Sequence, residues 1–103
     1  MNTVLFSLGS NLGSRLDVLS QATLLIGQHI GDVVKKSSVY ETSAWGINDQ
    51  PDFLNMAIEV NSKLSPLEIL EQVNAIEKQL GRVRFEKWGM RKIDIDILFY
   101  NDM

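Results

Sequence analysis

Residues 53–61 alternate in a way that admits little but a β-strand with one buried face. Leu54, Met56, Ile58 and Val60 share one phase, and Phe53, Asn55, Ala57 and Glu59 share the other. A period of two sends the aliphatic set into a core and leaves an aromatic ring and an amide on the opposite side of the sheet. The pattern recurs near the other end of the chain. Ile93, Ile95 and Ile97 fall in one phase and Asp94 and Asp96 in the other. Strands of this kind need neighbouring strands and a covering layer for the apolar face.

The remaining segments supply both. Thr3 to Leu8 reads as a strand ending at Gly9, and Gly9-Ser10-Asn11-Leu12-Gly13 reads as a turn or loop. Ser14 is placed to cap a helix running to about Ile26, with Leu16, Leu19, Thr23 and Ile26 on one face and Gly27 as its stop. Val33 to Tyr40 predicts a strand, and Glu41 to Asp52 a long connection. Ser65-Pro66-Leu67-Glu68 is a capping box with proline at the first helical position, and its helix runs to about Leu80 before Gly81. Arg82 to Lys92 forms a basic loop ahead of the last strand, Ile93 to Tyr100. The order β-α-β-β-α-β predicts an α+β fold: a ferredoxin-like antiparallel sheet with both helices on one face. Phe53, Asn55, Asp94 and Asp96 then emerge together on the uncovered face.

At 103 residues and 45% hydrophobic composition the chain is expected to form one domain with a modest core. It has no cysteine, which excludes disulfides, thiolate metal sites and cysteine nucleophiles and fits a reducing cytoplasm. No signal peptide is expected at the N-terminus, and no apolar run approaches membrane-spanning length. The net charge is −3, but its distribution is uneven. Between Glu41 and Glu77 there are seven acids and one base; between Arg82 and Lys92 there are five bases and one acid. A short basic block in an acidic chain suggests a local anion site rather than a nucleic-acid surface, with a solvated charged loop as the alternative.

Asp94 and Asp96, two positions apart on a strand, have Cα atoms roughly 6.5–7 Å apart and parallel side chains. Like charges that close repel unless a cation sits between them. Mg²⁺ takes one or two carboxylates and completes its shell with water and phosphate oxygens. An exposed acidic strand face is the alternative reading of the pair alone. The adjacent Arg82, Arg84, Lys87 and Arg91 favour the metal, because phosphoryl transfer needs cations on the phosphates as well as metal-holding carboxylates. Trp88 either stacks on a flat ring or anchors the loop to the core, and Gly81 and Gly89 would let the loop move as a lid. Glu77 falls beside an apolar stripe centred on Leu70, Val73 and Leu80, so it points at a ligand, pairs with an arginine or snorkels from the stripe's edge. Gly9 to Gly13 is not a Walker loop, since no Gly-Lys-Ser/Thr follows.

These segments resemble the hydroxymethyldihydropterin pyrophosphokinases. Ser7-Leu8-Gly9-Ser10-Asn11-Leu12-Gly13 is similar to the N-terminal signature of that family. Ser38-Val39-Tyr40-Glu41-Thr42 and Asp49-Gln50-Pro51-Asp52-Phe53-Leu54-Asn55 are similar to its pterin-side segments. Gly81-Arg82-Val83-Arg84 and the run from Lys87 to Leu98 resemble its main signature. The resemblance implies transfer of pyrophosphate from ATP to 6-hydroxymethyl-7,8-dihydropterin, with release of AMP, in folate biosynthesis. It implies that Asp94 and Asp96 hold two Mg²⁺ ions, that Phe53 stacks on the pterin and Asn55 bonds its polar edge. Thr42, Ser43 and Trp45 would contact it through backbone groups, and Trp88 would close over it. Asn74, Glu77, Arg84 and Arg91 would face ATP, with Ile97 near the adenine, while Arg82 and Arg91 would act in the assembled loop.

The chain departs from the family pattern at Ser43, where proline is common, and at Met90, where proline or a small residue is usual. Similar enzymes also continue with a segment rich in proline, histidine and arginine, so this chain is expected to be a shortened and poorly active form. Thr3 to Leu8 carries apolar residues in both phases, which predicts self-association as a homodimer. Two other readings share the strand order. A non-catalytic ligand-binding or assembly module does not explain Asp94 and Asp96 beside an arginine loop. An RNA-binding domain needs stacking aromatics on the central strands and a basic surface, and only Phe53 partly qualifies. No nucleic-acid or membrane partner is expected.

Overall fold

The computed structural model describes residues 1–11, 14–43, 52–81 and 93–101. The elements are β1 (Asn2–Ser10), α1 (Arg15–His29), β2 (Gly31–Lys36), β3 (Tyr40–Thr42), β4 (Phe53–Ser62), α2 (Pro66–Gln79) and β5 (Asp94–Tyr100). The strands form one antiparallel sheet in the order β2-β4-β1-β5, with β3 pairing the remaining length of β4. Apart from β3 this is the expected ferredoxin-like arrangement.

Alternation decides the two faces. Val4, Phe6 and Leu8 of β1, Met56, Ile58 and Val60 of β4, and Ile93 and Ile95 beside them are buried. They pack with Val18, Leu19, Ala22 and Ile26 of α1 and Ile69, Val73 and Ile76 of α2 in one continuous core. At roughly 1.5–3 kcal/mol per fully buried large aliphatic or aromatic side chain, this two-layer interface is the main source of stability. Both helices lie on that face, and among the described residues no element covers the other face of the sheet.

Four expectations need correction. The strand from Val33 to Tyr40 is two strands. The Val33–Lys35 register shift leaves Val34 unpaired against β4, a bulge that bends a strand. Ser37 then bridges to Ala57, its N–H donating to the Ala57 carbonyl at 2.9 Å and its hydroxyl accepting from the Ala57 N–H at 2.8 Å. Second, β1 does not stop at Leu8; Gly9 and Ser10 pair with Asn55 and Leu54 as strand residues. Third, α1 continues through Gly27 to His29, its Ser14 makes no side-chain cap, and Leu16 is exposed. A glycine inside a helix costs only about 1 kcal/mol relative to alanine, less than the burial of Ile26 and Ile30 returns. Fourth, the buried stripe of α2 is Ile69, Val73, Ile76 and Glu77, whereas Leu70 is exposed. The start of α2 is as expected: Ser65 accepts from the Glu68 N–H, and Glu68 accepts from the Ser65 N–H. Gly81, with φ 82°, turns the chain away from the helix end.

Candidate active site

The open face gathers its polar groups at one end of the sheet, where β1 runs between β4 and β5. Gly9 of β1 pairs with Asn55 on one side and with Asp94 on the other. Two strand spacings therefore separate Asn55 from Asp94, about 9–10 Å. Asp96 follows in register with Ser7. Phe53 lies beyond Asn55 on the same face, and the short β3 sets Tyr40 opposite Asn55 and Thr42 opposite Phe53.

Gly9 forms the floor between these groups. A Cβ there would lie 3.2 Å from Asn55 Oδ1 and 3.6 Å from Phe53 Cδ1. Gly9 is itself buried, and its missing side chain lets the Asn55 amide and the Phe53 ring lie against β1, with Asp94 on the strand beyond. The Asn55 amide is held: Nδ2 donates to Thr42 Oγ1 at 2.8 Å and has longer contacts of 3.4 Å to the Tyr40 and Phe53 carbonyls. The donor end of the amide thus faces β3.

Asp94 is partly exposed and Asp96 exposed. Between them, the Ile95 N–H donates to Glu77 Oε2 at 2.9 Å, and Glu77 is only 5% exposed. Glu77 thus neither snorkels nor sits at the edge of its stripe. It reaches from α2 beneath β5 and holds the peptide that joins the two aspartates. Among the described residues no group of three or more histidine, cysteine, aspartate or glutamate side chains is gathered for a metal. A pair of carboxylates is nevertheless a fitting donor set for Mg²⁺, which fills most of its shell with water and phosphate oxygens.

Of the residues expected near ATP, Glu77 is buried as described, and Ile97 and Asn74 lie off the open face. Ile97 is partly buried against the core, and Asn74 is exposed on α2. Because β5 is an edge strand, a ligand touching both Asp96 and Ile97 must pass around that edge. Ser43 follows β3 and is exposed. Trp45, Arg82, Arg84, Trp88 and Arg91 lie outside the described residues. The sequence reading missed Gly9 and Tyr40 as parts of the site. The Gly-Ser-Asn run reads as a turn, and only the register shows its glycine lying between the amide and the carboxylate.

Residues 5–102 match the family described as 7,8-dihydro-6-hydroxymethylpterin-pyrophosphokinase. The chain belongs to this family. It is 48% identical over 103 residues to the 2-amino-4-hydroxy-6-hydroxymethyldihydropteridine pyrophosphokinase of Bacillus subtilis, covering 98% of this chain and 62% of that protein. The enzyme of the same name from Aquifex aeolicus is 41% identical, covering 99% and 63%. The Lactococcus lactis bifunctional protein FolKE is 42% identical across all of this chain and 30% of its own length. The chain thus spans about three fifths of the single-function relatives. Among solved structures, Plasmodium falciparum HPPK-DHPS with pteroate superposes with a TM-score of 0.76 at 18% identity, over 98% of this chain and 29% of that one. At that identity the likeness is one of fold, and it agrees with the sheet order described above. No helix among the described residues is long and apolar enough to cross a membrane.

Proposed function

We propose that this chain binds ATP and 6-hydroxymethyl-7,8-dihydropterin and transfers pyrophosphate from the nucleotide to the hydroxymethyl oxygen. The observation that carries this reading is the register at Gly9, which puts a ring-and-amide surface and a carboxylate pair on either side of β1 on the same face. A flat heterocycle lying between Phe53 and Asn55 would extend a short arm across Gly9 toward Asp94. There the hydroxymethyl oxygen bonds to the β-phosphorus, the bridge to the α-phosphate breaks, AMP leaves and the hydroxyl proton is released.

Asp94 and Asp96 would hold Mg²⁺, two ions in this reading. Bound metal supplies neutralisation of phosphate charge and alignment of the reacting oxygens. The chain's own part is positional. Glu77 keeps the peptide between the aspartates in place, the edge of β5 lets the nucleotide run from Asp96 toward Ile97 and Asn74, and Phe53 with Asn55 orients the acceptor. Arg82, Arg84 and Arg91 would neutralise phosphate charge, with Arg82 and Arg91 serving the transfer step. Trp88 would close over the ring, and Thr42, Ser43 and Trp45 would border it. Positioning and charge neutralisation suffice for this reaction type, so no protein base is invoked.

Calorimetry with α,β-methylene-ATP tests the reading, alongside an assay for AMP release. Binding is expected to require Mg²⁺ and to be lost in Asp94→Asn. Equal binding with and without the metal, or in the variant, overturns the assignment. Self-association belongs to the same proposal. It is supported by Phe99, which is 55% exposed beside Leu5 on the open face, away from Asn55. A sedimentation coefficient that stays monomeric across a concentration series would exclude it.

A further inference from the structure

We propose that Ser7 is a positioning residue beside Asp94 and Asp96, its hydroxyl bonding the water and phosphate oxygens that complete the shell of Mg²⁺. The inference rests on the metal reading above and adds a neutral donor and acceptor to a pair of carboxylates.

Alternation along β1 puts Ser7 on the open face. Val4, Phe6 and Leu8 are buried in the core, so Leu5 and Ser7 take the opposite side, and Ser7 is partly exposed there. Register then sets these positions in rows across the sheet. Gly9 lies between Asn55 and Asp94, Ser7 between Ala57 and Asp96, and Leu5 between Glu59 and Phe99. The register shift against β5 falls between Leu5 and Phe6, so Ser7, Leu8 and Gly9 pair with Asp96, Ile95 and Asp94 without interruption. Directly opposed residues on neighbouring strands have Cβ atoms about 4.5–5.5 Å apart, and diagonal ones about 7–8 Å. Ser7 is opposite Asp96 and diagonal to Asp94. Its side chain therefore stands beside the gap between the two carboxylates.

The chemistry of this row differs from that of its neighbours. On the β4 side Ala57 offers only a methyl group, which leaves Asp96 as the one polar residue directly opposed to Ser7. Ionised carboxylates only accept hydrogen bonds, whereas a hydroxyl both donates and accepts. Mg²⁺ held by one or two carboxylates keeps several waters and takes phosphate oxygens for the rest of its shell. A metal-bound water needs an acceptor and a phosphate oxygen needs a donor. Asp94 and Asp96 can meet the first need and repel the group that has the second. Ser7 answers both without adding charge to the site.

The experiment is calorimetry of the full chain with α,β-methylene-ATP over a series of Mg²⁺ concentrations, for wild type, Ser7→Ala, Ser7→Thr and Ser7→Val. Threonine keeps the hydroxyl, and valine copies the shape of threonine without it. Thermal melting checks that the variants remain folded. The Mg²⁺ concentration that gives half of full binding is expected to rise roughly three- to tenfold in the alanine and valine variants, from the loss of one hydrogen bond. Ser7→Thr is expected to keep the wild-type value. Affinity for 6-hydroxymethylpterin, followed by fluorescence, is expected to stay at the wild-type value in all three. An unchanged Mg²⁺ requirement in Ser7→Ala, or a threonine variant as impaired as the alanine one, overturns this inference and leaves the metal reading intact. A parallel loss of pterin affinity also overturns it, since that marks a general disturbance of the sheet. If Ser7→Val does not fold, the alanine and threonine variants decide by the same criteria. A wild type that binds the nucleotide analogue equally with and without Mg²⁺ overturns the metal reading and this inference together.

Discussion

Glu77 shows how a single side chain can carry a site without touching a ligand. Its carboxylate is buried, and one oxygen accepts the N–H of Ile95, the residue between Asp94 and Asp96. A buried carboxylate is tolerated only when its oxygens are bonded. Its removal would leave a buried N–H without its partner. Glu77→Ala is therefore expected to lower stability by about 2–3 kcal/mol, the scale of a lost hydrogen bond to a charged group. Glu77→Gln, which keeps an acceptor oxygen, is expected to cost less. Urea unfolding of the three proteins checks the order; equal stability of wild type and alanine variant would show that the Ile95 bond contributes nothing. From the sequence, Glu77 was visible only as a charged residue beside an apolar stripe. Helical spacing alone does not decide between a stripe through Leu70 and one through Ile69 and Ile76, because both neighbouring phases contain aliphatic residues.

At the scale of elements, the legible parts were those where one local rule acts alone. The alternation of β4 and β5 assigned Phe53, Asn55, Asp94 and Asp96 to one face, and the register agrees. The start of α2 was legible for the same reason, since Ser65, Pro66 and Glu68 satisfy its capping box within four residues. What stayed hidden depends on distant partners. The division of β2 from β3 follows from how both pair with β4, and the extension of α1 past Gly27 follows from core burial of Ile26 and Ile30. The capping box also makes a pH-dependent prediction. The Ser65 backbone N–H, then the Ser65 hydroxyl, hold the Glu68 carboxyl below its ordinary value. A folded-state value below the unfolded one means that the stabilisation is present above the ordinary carboxylate value. It is lost as pH falls through the lowered one. Glu68→Gln removes the titrating charge and is expected to lower Tm slightly at neutral pH. Thermal melts of wild type and variant should converge as the solution is acidified through the carboxylate range. A gap that stays constant with pH would mean that Glu68 takes no part in the cap.

Across the whole molecule, the sheet separates a binding end from a structural end. At the end away from Gly9, Asn101 ties the chain's last described strand to its first. Its N–H donates to the Thr3 carbonyl at 2.7 Å, its Oδ1 accepts from the Thr3 N–H at 2.9 Å, and its Nδ2 donates to Asn2 Oδ1 at 3.0 Å. Tyr100 Oη and Asn2 Nδ2 both donate to the Leu64 carbonyl, at 2.8 and 3.2 Å, bringing the approach to α2 into the same knot. Asn101 does this at φ 55°, a left-handed conformation that asparagine tolerates better than most residues. Asn101→Ala loses both side-chain bonds and strains the backbone, for an expected cost of about 2 kcal/mol, or a fall of roughly 10 °C in Tm for a chain of this size. Asn101→Gly relieves the strain and should recover part of that loss. From Asn2 to Gly9 is seven strand steps, about 23 Å. Affinity for 6-hydroxymethylpterin and for Mg²⁺ with α,β-methylene-ATP, measured well below the lowered Tm, should therefore match wild type in both variants. A parallel loss of affinity and stability would show instead that the knot sets the register at Gly9, and that the sheet couples its two ends.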